Sequence, residues 1–569
     1  MSKATVKAYA SPSCVLLTFD WSDGVTHADF LGFAIERSPG YTKKGDPQFL
    51  FNKLDFVPIA KGSKPKGSDV APIQKFNWWD GGLKLSDRGR TFQYTITPVL
   101  GTGPTDLKLQ TASSGVVDVA IPNSSDGKIA TYFNRAVVSA QSFLSVKDDL
   151  KVQMEWLANG LQEAIPEILS NSDAFDCAIY HLSDGLWIVP AFMDFAGRGS
   201  ITYFNKGDDD KSQPAIDKLN ATKHNISTHK RDAISKLMHD KFVVSHKDGS
   251  DVAVLMGSTN FTPEAQTIQA NLLHIIQSPQ LAKLYQTRST LLAANKKTKD
   301  TAVGAGWKPI TDVAGSDIRV FFLPEPGSER QFLDTVTDAV KAAKSSVLFC
   351  MFTASDTALM DAIFAQADSK DHLVYGLLNA IDDPEKPTKS GAKRNLPEIA
   401  ATIYHRSREK PDTLPYSAFG KNAPRGFLPE LRTIDCSKYD LSVSSGKKKN
   451  GGPPPIHIHH KFIVIDGDTA HPTIYTGSPN FSKASENSND ENVLEIKNNE
   501  PLAHAYVAEF MRLYNHYRAR AIWNRTHEKQ GAAAATGGDP LVLKTKRDDW
   551  VGEAYRDGSK SFLARTRGL

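Results

Sequence analysis

The stretch His239-Asp-Lys241-Phe-Val-Val decides how this chain is read, because it returns 220 residues later as His459-His-Lys461-Phe-Ile-Val. The residues after each copy return too. The first reaches Gly257-Ser258-Thr-Asn260-Phe261 and the second Gly477-Ser478-Pro-Asn480-Phe481, with glycine 18, serine 19 and asparagine 21 positions after the histidine. Further on, Asn271-Leu-Leu-x-Ile is matched by Asn492-Val-Leu-x-Ile. A Leu-Ala pair follows ten residues after each asparagine, and Tyr285 and Tyr506 stand fourteen after. Agreement at so many positions implies a duplicated unit, each copy bringing one histidine, one lysine and one asparagine to a shared site.

Working outward, β and α signals alternate in both copies. In the first, helical periodicity over Val152–Ile165 precedes strands at Asp176–Leu182, Ser200–Phe204, Phe242–Ser245 and Val252–Met256, and a helix spans Ser278–Ala294. In the second, a helix at Phe332–Lys344 precedes strands at Ser345–Phe352, His372–Leu378, Phe462–Ile465 and Thr473–Thr476, and a helix over Pro501–Ile522 closes the copy. This order predicts an α/β sandwich of two similar units. From the first strand to the motif histidine is about 60 residues in the first copy and about 110 in the second. The surplus, with Lys447-Lys-Lys449 and Gly451-Gly-Pro-Pro-Pro455, reads as a loop bordering the site.

Ahead of the duplication the chain reads as β, with strands in Cys14–Trp21, Gly32–Arg37 and Phe92–Val99 separated by Gly/Pro turns. An early strand tryptophan and a later Tyr-x-Ile strand look like a fibronectin type III or immunoglobulin-like sandwich. The expected divisions are a β-sandwich at 1–122, the first half at 123–310 behind an Asn123–Gly127 linker, the second half at 311–528, and an extension at 529–569. That extension opens with a flexible Ala533–Gly538 stretch and ends in a basic segment that packs back on the body.

Hydrophobic residues make up 40% and charged residues 23% of the 569 positions, as in an ordinary globular protein. A net charge of +4 neither demands nor excludes a polyanionic partner. Cys14, Cys177, Cys350 and Cys436 lack Cys-x-x-Cys spacing, and two lie in apolar strand-like runs, which fits buried thiols in a reducing compartment. No run approaches the roughly 18 apolar residues that span a bilayer. The start of the sequence lacks a signal peptide's apolar core, so a soluble, cytoplasmic protein is expected, with signal-less export left open.

The doubled motif resembles that of the phospholipase D superfamily, whose signature is His-x-Lys-x4-Asp followed by Gly-Ser-x-Asn. The likeness covers roughly residues 130–525. The second copy matches in full, with Asp466 in the aspartate position; the first carries His246 there. A closer likeness is to bacterial members whose second copy ends in Asn-Asp-Glu-Asn, here Asn489–Asn492. The resemblance implies a duplicated phospholipase D-like fold and phosphodiester chemistry on substrates ranging from phospholipids to DNA.

The residue types suit that chemistry. Displacement at a phosphodiester needs a nucleophile on one side, an acid for the leaving oxygen opposite, and positive charge around the equatorial oxygens. Two histidines fill the first two roles, one forming a phosphohistidine and the other protonating the alcohol and then activating water. Lys241 and Lys461 supply the charge, and Asn260 and Asn480 donate amide N–H; neither cofactor nor metal is required. The resemblance further implies that Glu491 accepts a hydrogen bond from the catalytic imidazole, taken as that of His459, with Gln269 as first-copy counterpart. It implies that Ser258 and Ser478 support through their hydroxyls, that Asp466 braces the fold, and that the replacement by His246 disturbs geometry more than chemistry. By likeness to two-copy phospholipases, His239 attacks and His459 is the acid.

Other signals have plainer readings. Trp78-Trp79 reads as core and turn rather than a binding patch. In Ile456-His-Ile-His-His460, alternation sets His457 and His459 on one side and His460 on the other, without the Cys or Asp cluster a metal would want. His224, His229 and Lys230-Arg231 either line the phosphate entrance or are solvated. Lys447–Lys449 reads as a solvated loop before it reads as a nucleic-acid contact.

The leading reading is a metal-independent phospholipase D-type phosphodiesterase, a peripheral membrane-surface enzyme releasing or exchanging a phospholipid head group. A nuclease with the same chemistry on DNA or RNA is the alternative, and an inactive binding protein a third. Two motifs in one chain make a functional monomer sufficient.

Overall fold

The computed structural model describes residues 2–569 except 53, 59–63, 125–126, 137–148, 208, 223–224, 305, 326–328, 388–394, 411–412, 415–433, 444–457 and 531–541, and except the side chains of 520 and 523–530. His224, His457, Lys447–Lys449, Gly451–Pro455 and the Ala533 stretch therefore lie outside the described residues, as does part of the Asn123–Gly127 linker.

The duplication appears as two seven-stranded sheets. In order across the sheet, the first runs Ile129–Phe133, Leu272–Ile276, Ser250–Gly257, Lys241–Lys247, Ala174–Ile179, Arg198–Phe204 and Ile226–Arg231. The second runs Lys308–Ile310, Asp317–Leu323, Glu491–Lys497, Thr473–Gly477, Lys461–Ile465, Ser346–Met351 and Leu373–Leu378. Six strands correspond in order and direction. In each sheet the motif strand pairs antiparallel with the first core strand, and that strand pairs parallel with the next. Lys308–Ile310, expected in the first half, pairs with Asp317–Leu323, so the second sheet begins before residue 311.

Period-two side-chain alternation sorts each motif strand between two cores. Phe242, Val244, Phe462 and Val464 share one apolar core that joins the two halves. Val243 packs on the first half's outer layer, and Ile463 and Ile465 on the second's. Helices Pro279–Ala293 and Glu500–Gln530 contribute Tyr285, Tyr506, Phe510 and Tyr514 to the shared core. Ser278 caps the first of these helices by accepting from the Leu281 N–H, with proline inside the first turn. The single helix expected over Val152–Ile165 is two, Leu150–Ala158 and Ala164–Ser170, because Asn159 and Gly160 both take left-handed conformations between them.

Residues ahead of the duplication form a β-rich region. A three-stranded sheet holds Thr5–Ala10, Val15–Asp20 and Asn77–Asp80, and a five-stranded sheet is built on Phe30–Ser38 and Thr91–Leu100. Trp21, Phe33, Phe92 and Tyr94 sit in their common core. Trp78 packs partly buried against that core. The C-terminal segment returns to this region, where Trp550 Nε1 donates to the Phe30 carbonyl (2.9 Å) and Tyr555 to that of Trp21 (2.8 Å). All four cysteines are buried and free. Among the described residues no helix is long and apolar enough to cross a membrane.

Candidate active site

Each motif histidine stands two residues before the start of its strand, and each is fixed by a residue of the other half. The His239 N–H donates to the Asp490 carbonyl (2.8 Å), and the His459 N–H to the Ala270 carbonyl (3.1 Å). The side chains cross in the same way. His239 Nδ1 lies 2.8 Å from Glu491 Oε2, and His459 Nδ1 lies 2.9 Å from Asn271 Oδ1. These contacts correct two expectations. Glu491 serves His239 rather than His459, because its strand approaches the other copy's motif. Gln269 is not the first-copy counterpart: its Oε1 has no partner among the described residues, and Asn271 takes the position.

The correction has a register behind it. Ser258 N donates to Leu272 O and Ser478 N to Asn492 O, so Leu272 corresponds to Asn492, and Asn271 to Glu491. Both partners then stand 32 residues after the histidine that opens their own copy. Matching the two Asn-x-Leu-x-Ile runs by eye slips this register by one residue, which in a strand moves every side chain to the opposite face. The signal that finds Asn271 is the constant spacing from the motif.

The supporting contacts repeat across the pseudo-twofold. Lys241 Nζ donates to the His239 carbonyl (2.7 Å) and Lys461 Nζ to that of His459 (2.8 Å). Ser258 Oγ donates to Asn271 Oδ1 (2.9 Å) and accepts from the Leu272 N–H (3.2 Å), and Ser478 Oγ likewise accepts from the Asn492 N–H (3.0 Å). An aromatic ring flanks each pair: Tyr180 meets His239 edge-on at 5.0 Å, and Phe352 meets His459 at 5.6 Å. Asn260 and Asn480 each hold a buried amide oxygen with no partner among the described residues.

Burial dominates the electrostatics. It pushes His239 down to about 4 and His459 well below the ordinary histidine range, with the nearby lysines adding to the effect. Lys241 is pushed down to about 7, and Lys461 well below its usual value. Burial works to raise Glu491, but His239 and Lys241 hold it down at about 2. His239 thus stands on a carboxylate and His459 on an amide, with Lys241 and Lys461 beside them at lowered proton affinity.

The halves part company at two positions. The residue between histidine and lysine is Asp240 in one copy and His460 in the other; the residue before the imidazole's partner is Asp490 in one and Ala270 in the other. Asp240 accepts from Arg288 (2.9 Å) and Asn492 (2.6 Å), while Asp490 accepts from Arg231 (3.0 Å) and Thr301 (2.6 Å). All four charged side chains are fully buried in the seam. Arg231, one expected lining of a phosphate entrance, is thus a strut between halves; Lys230 pairs with Asp232 and half-buried His229 with Ser227. His460 packs in the other direction, against Phe133 and Phe462.

Asp466 and His246 do one job by different means. Asp466 accepts from the N–H groups of Lys344, Ser345 and Ser346 (2.7–3.1 Å). His246 bridges Asp176 (2.8 Å) and Asp251 (2.9 Å) while its carbonyl accepts from Asp173 N. The first half's geometry is preserved, against the expectation that His246 disturbs it. Within the long second-half insertion, Tyr439 and Leu441 hydrogen-bond to Gly185 and Ser183 of the first half.

A family profile described as "Cardiolipin synthase, PLD-like domain" matches residues 173–289 and 336–514, more than half of the chain. The chain belongs to the phospholipase D superfamily. Solved structures to which this phospholipase D-like chain is similar include phosphatidylserine synthase of Haemophilus influenzae Rd KW20, at 12% identity and TM-score 0.39, covering 63% of this chain and 85% of that one. Yeast tyrosyl-DNA phosphodiesterase matches at 9% identity and TM-score 0.33, covering 59% and 84%. The phospholipase D family member Nuc from Salmonella typhimurium matches at 17% identity and TM-score 0.20, covering 23% and 86%. No curated protein matches the sequence. Superfamily members cleave or transfer phosphodiesters.

Proposed function

We propose that this protein is a phospholipase D-type phosphodiesterase that releases or transfers a phospholipid head group through a phosphohistidine. The observation that carries the reading is the crossed pairing of two buried imidazoles, His239 with Glu491 and His459 with Asn271, beside Lys241 and Lys461. The family profile's lipid-synthase description and the chain's mild net charge of +4 support lipid over nucleic acid.

The unequal partners divide the labour. Glu491 accepts from His239 Nδ1, which leaves Nε2 with its lone pair toward phosphorus, and its carboxylate steadies the positive ring that forms as the N–P bond is made. Asn271 orients His459 in the same way without adding negative charge, so the protonated ring gives up its proton readily to the departing alcohol. The phosphodiester's negative charge raises the proton affinity of His459 and of the two lysines, so His459 takes up a proton from solvent as the substrate binds. Lys241, Lys461, Asn260 and Asn480 then hold the equatorial oxygens. Water, activated by His459 once it is neutral, attacks phosphorus opposite His239 and frees phosphatidate; an alcohol in its place gives head-group exchange.

The test is head-group release from mixed phospholipid vesicles in EDTA, with plasmid DNA and single-stranded RNA alongside. Release by the wild type, absent from His239→Ala and from His459→Ala, is expected. Nicked nucleic acid with intact lipid would replace this reading by the nuclease one. Full activity in either histidine variant would remove the two-histidine mechanism.

A further inference from the structure

The two copies fill one position behind the catalytic pocket differently. Tyr285 and Tyr506 correspond between the copies, and three residues further on stand Arg288 and Glu509. On the His239 side, Arg288 grips Asp240 and donates to the Leu323 carbonyl (2.7 Å). Leu323 pairs across its sheet with Glu491. On the His459 side the residue facing Asn271 is Asn134, whose N–H donates to the Asn271 carbonyl (3.4 Å) and whose Oδ1 accepts from the Asn271 N–H (3.0 Å). The Asn134 carbonyl therefore corresponds to that of Leu323, and it too receives an arginine. This one comes from a helical turn further on: Arg512 donates to the carbonyls of Asn134 (3.3 Å) and Arg135 (2.9 Å).

Glu509, standing where Arg288 stands in the other copy, is the counter-charge of Arg512. Its Oε2 accepts from Arg512 Nε (3.0 Å), and its Oε1 accepts from Ser11 Oγ (2.7 Å) and from Ser13 Oγ. Both serines lie in the turn between Thr5–Ala10 and Val15–Asp20, the first two strands of the N-terminal region. Glu509 is 1% exposed and the serines are buried, so these charge-assisted bonds form away from water, where they are strongest. Beyond Arg512, Asn134 Nδ2 donates to the carbonyls of Ala265 (3.3 Å), Gln266 (3.2 Å) and Gln269 (2.6 Å), in the segment that leads into Asn271. Arg512 also faces His460, the residue between His459 and Lys461: burial, with Arg512 adding to it, holds His460 well below the ordinary histidine range. A position that the halves complete by themselves beside His239 is thus completed beside His459 by the N-terminal region.

We infer that Arg512 is a positioning residue for His459 and that the N-terminal region holds it in place. Ser11 and Ser13 fix Glu509, Glu509 fixes Arg512, and Arg512 fixes the backbone of Asn134 behind Asn271, whose amide oxygen sets the His459 ring. The inference rests on the reading of His459 as the acid and extends that site into the N-terminal region. Each link is a hydrogen bond between buried or half-buried groups, so a shift at the serines reaches the imidazole without a change of fold. A misplacement of about 1 Å at a reacting group costs on the order of 10²-fold in rate.

The experiment follows the first turnover of the full-length protein on two lipids that differ only in the group that leaves, phosphatidylcholine and phosphatidyl-p-nitrophenol. p-Nitrophenolate departs without a proton, so a displaced acid slows the release of choline and spares that of p-nitrophenol. Ser11→Ala/Ser13→Ala and Arg512→Met should each slow choline release by roughly 10–10²-fold and leave p-nitrophenol release close to wild type. Arg512→Lys keeps the charge on Glu509 without the fork that spans two carbonyls, and should recover part of the loss. Tyr9→Phe unties the same pair of strands from the Gly568 carbonyl (2.7 Å) without touching Glu509, and should lower the melting temperature with both rates unchanged while the protein is folded. Equal losses on the two lipids, or no loss of choline release in the folded serine and arginine variants, would overturn the inference. His459→Ala tests the underlying reading by itself: it should keep the first release of p-nitrophenol, and losing it would mean that His459 is not the acid. If the wild type cuts only nucleic acid, dithymidylate and thymidine 3′-p-nitrophenyl phosphate give the same comparison, so the lipid reading and this inference fail separately.

Discussion

At the scale of single residues the site is symmetric in geometry and asymmetric in charge, and the difference rests on Glu491 against Asn271. Glu491→Gln keeps a hydrogen bond to His239 Nδ1 but removes the carboxylate that balances the phosphohistidine. Turnover should fall by roughly 10²–10³-fold, with substrate affinity little changed, in steady-state kinetics. Asn271→Asp places a carboxylate on His459 instead. Its proton affinity then rises, and the alkaline limb of the kcat–pH profile should move to higher pH; an unmoved limb would mean that His459 is not the acid. Stability carries a related signature. His239 and His274 are held down at about 4 by burial, so between an unfolded value near 6.5 and that range the unfolded chain binds more protons than the folded one. Stability is therefore full above about 6.5 and drains as pH falls toward 4. The melting temperature of the unliganded protein should drop across that window.

At the scale of elements, the sequence shows the strands well and their neighbours less well. Phe242–Ser245 and Phe462–Ile465 are legible because apolar runs between polar ends have one stable place, the middle of a sheet. The pairing of Glu491 with His239 is not legible, since local pattern places a residue on a strand but does not say which half its strand will face. His246 is harder still. Its partners Asp176 and Asp251 are 70 residues upstream and 5 downstream, and no local rule joins them. The two braces nevertheless invite comparison. Asp466→Asn removes the charge from an acceptor of three backbone N–H groups and should cost about 1.5–3 kcal/mol in urea unfolding. His246 behaves with opposite pH sense. Burial opposes its charge, but Asp176 and Asp251 raise its proton affinity overall. The stability it adds is present below its unfolded value and lost as pH rises through the higher folded one, and His246→Gln should erase that component alone.

At the scale of the whole molecule, the question is what keeps two similar halves in one register. The shared apolar core supplies adhesion, but apolar contact is non-directional. Direction comes from the buried set Arg231–Asp490 and Arg288–Asp240–Asn492, which runs from one half to the other directly behind His239 and Glu491. Its members are inconspicuous in the sequence, because a buried pair announces itself only when both partners are seen together. Removing one partner leaves the other buried and uncompensated. Arg288→Met should therefore cost about 3–5 kcal/mol, far more than an exposed pair returns. Asp240 also lies between His239 and Lys241, so the same variant should lose turnover even at temperatures where it remains folded. Arg288→Lys keeps the charge but not the fork that grips Asp240 and the Leu323 carbonyl together, and it should recover stability more fully than activity. Activity and melting temperature falling in proportion across the two variants would mean that the network only holds the halves together; a steeper fall in activity would mean that it also sets where the nucleophile stands.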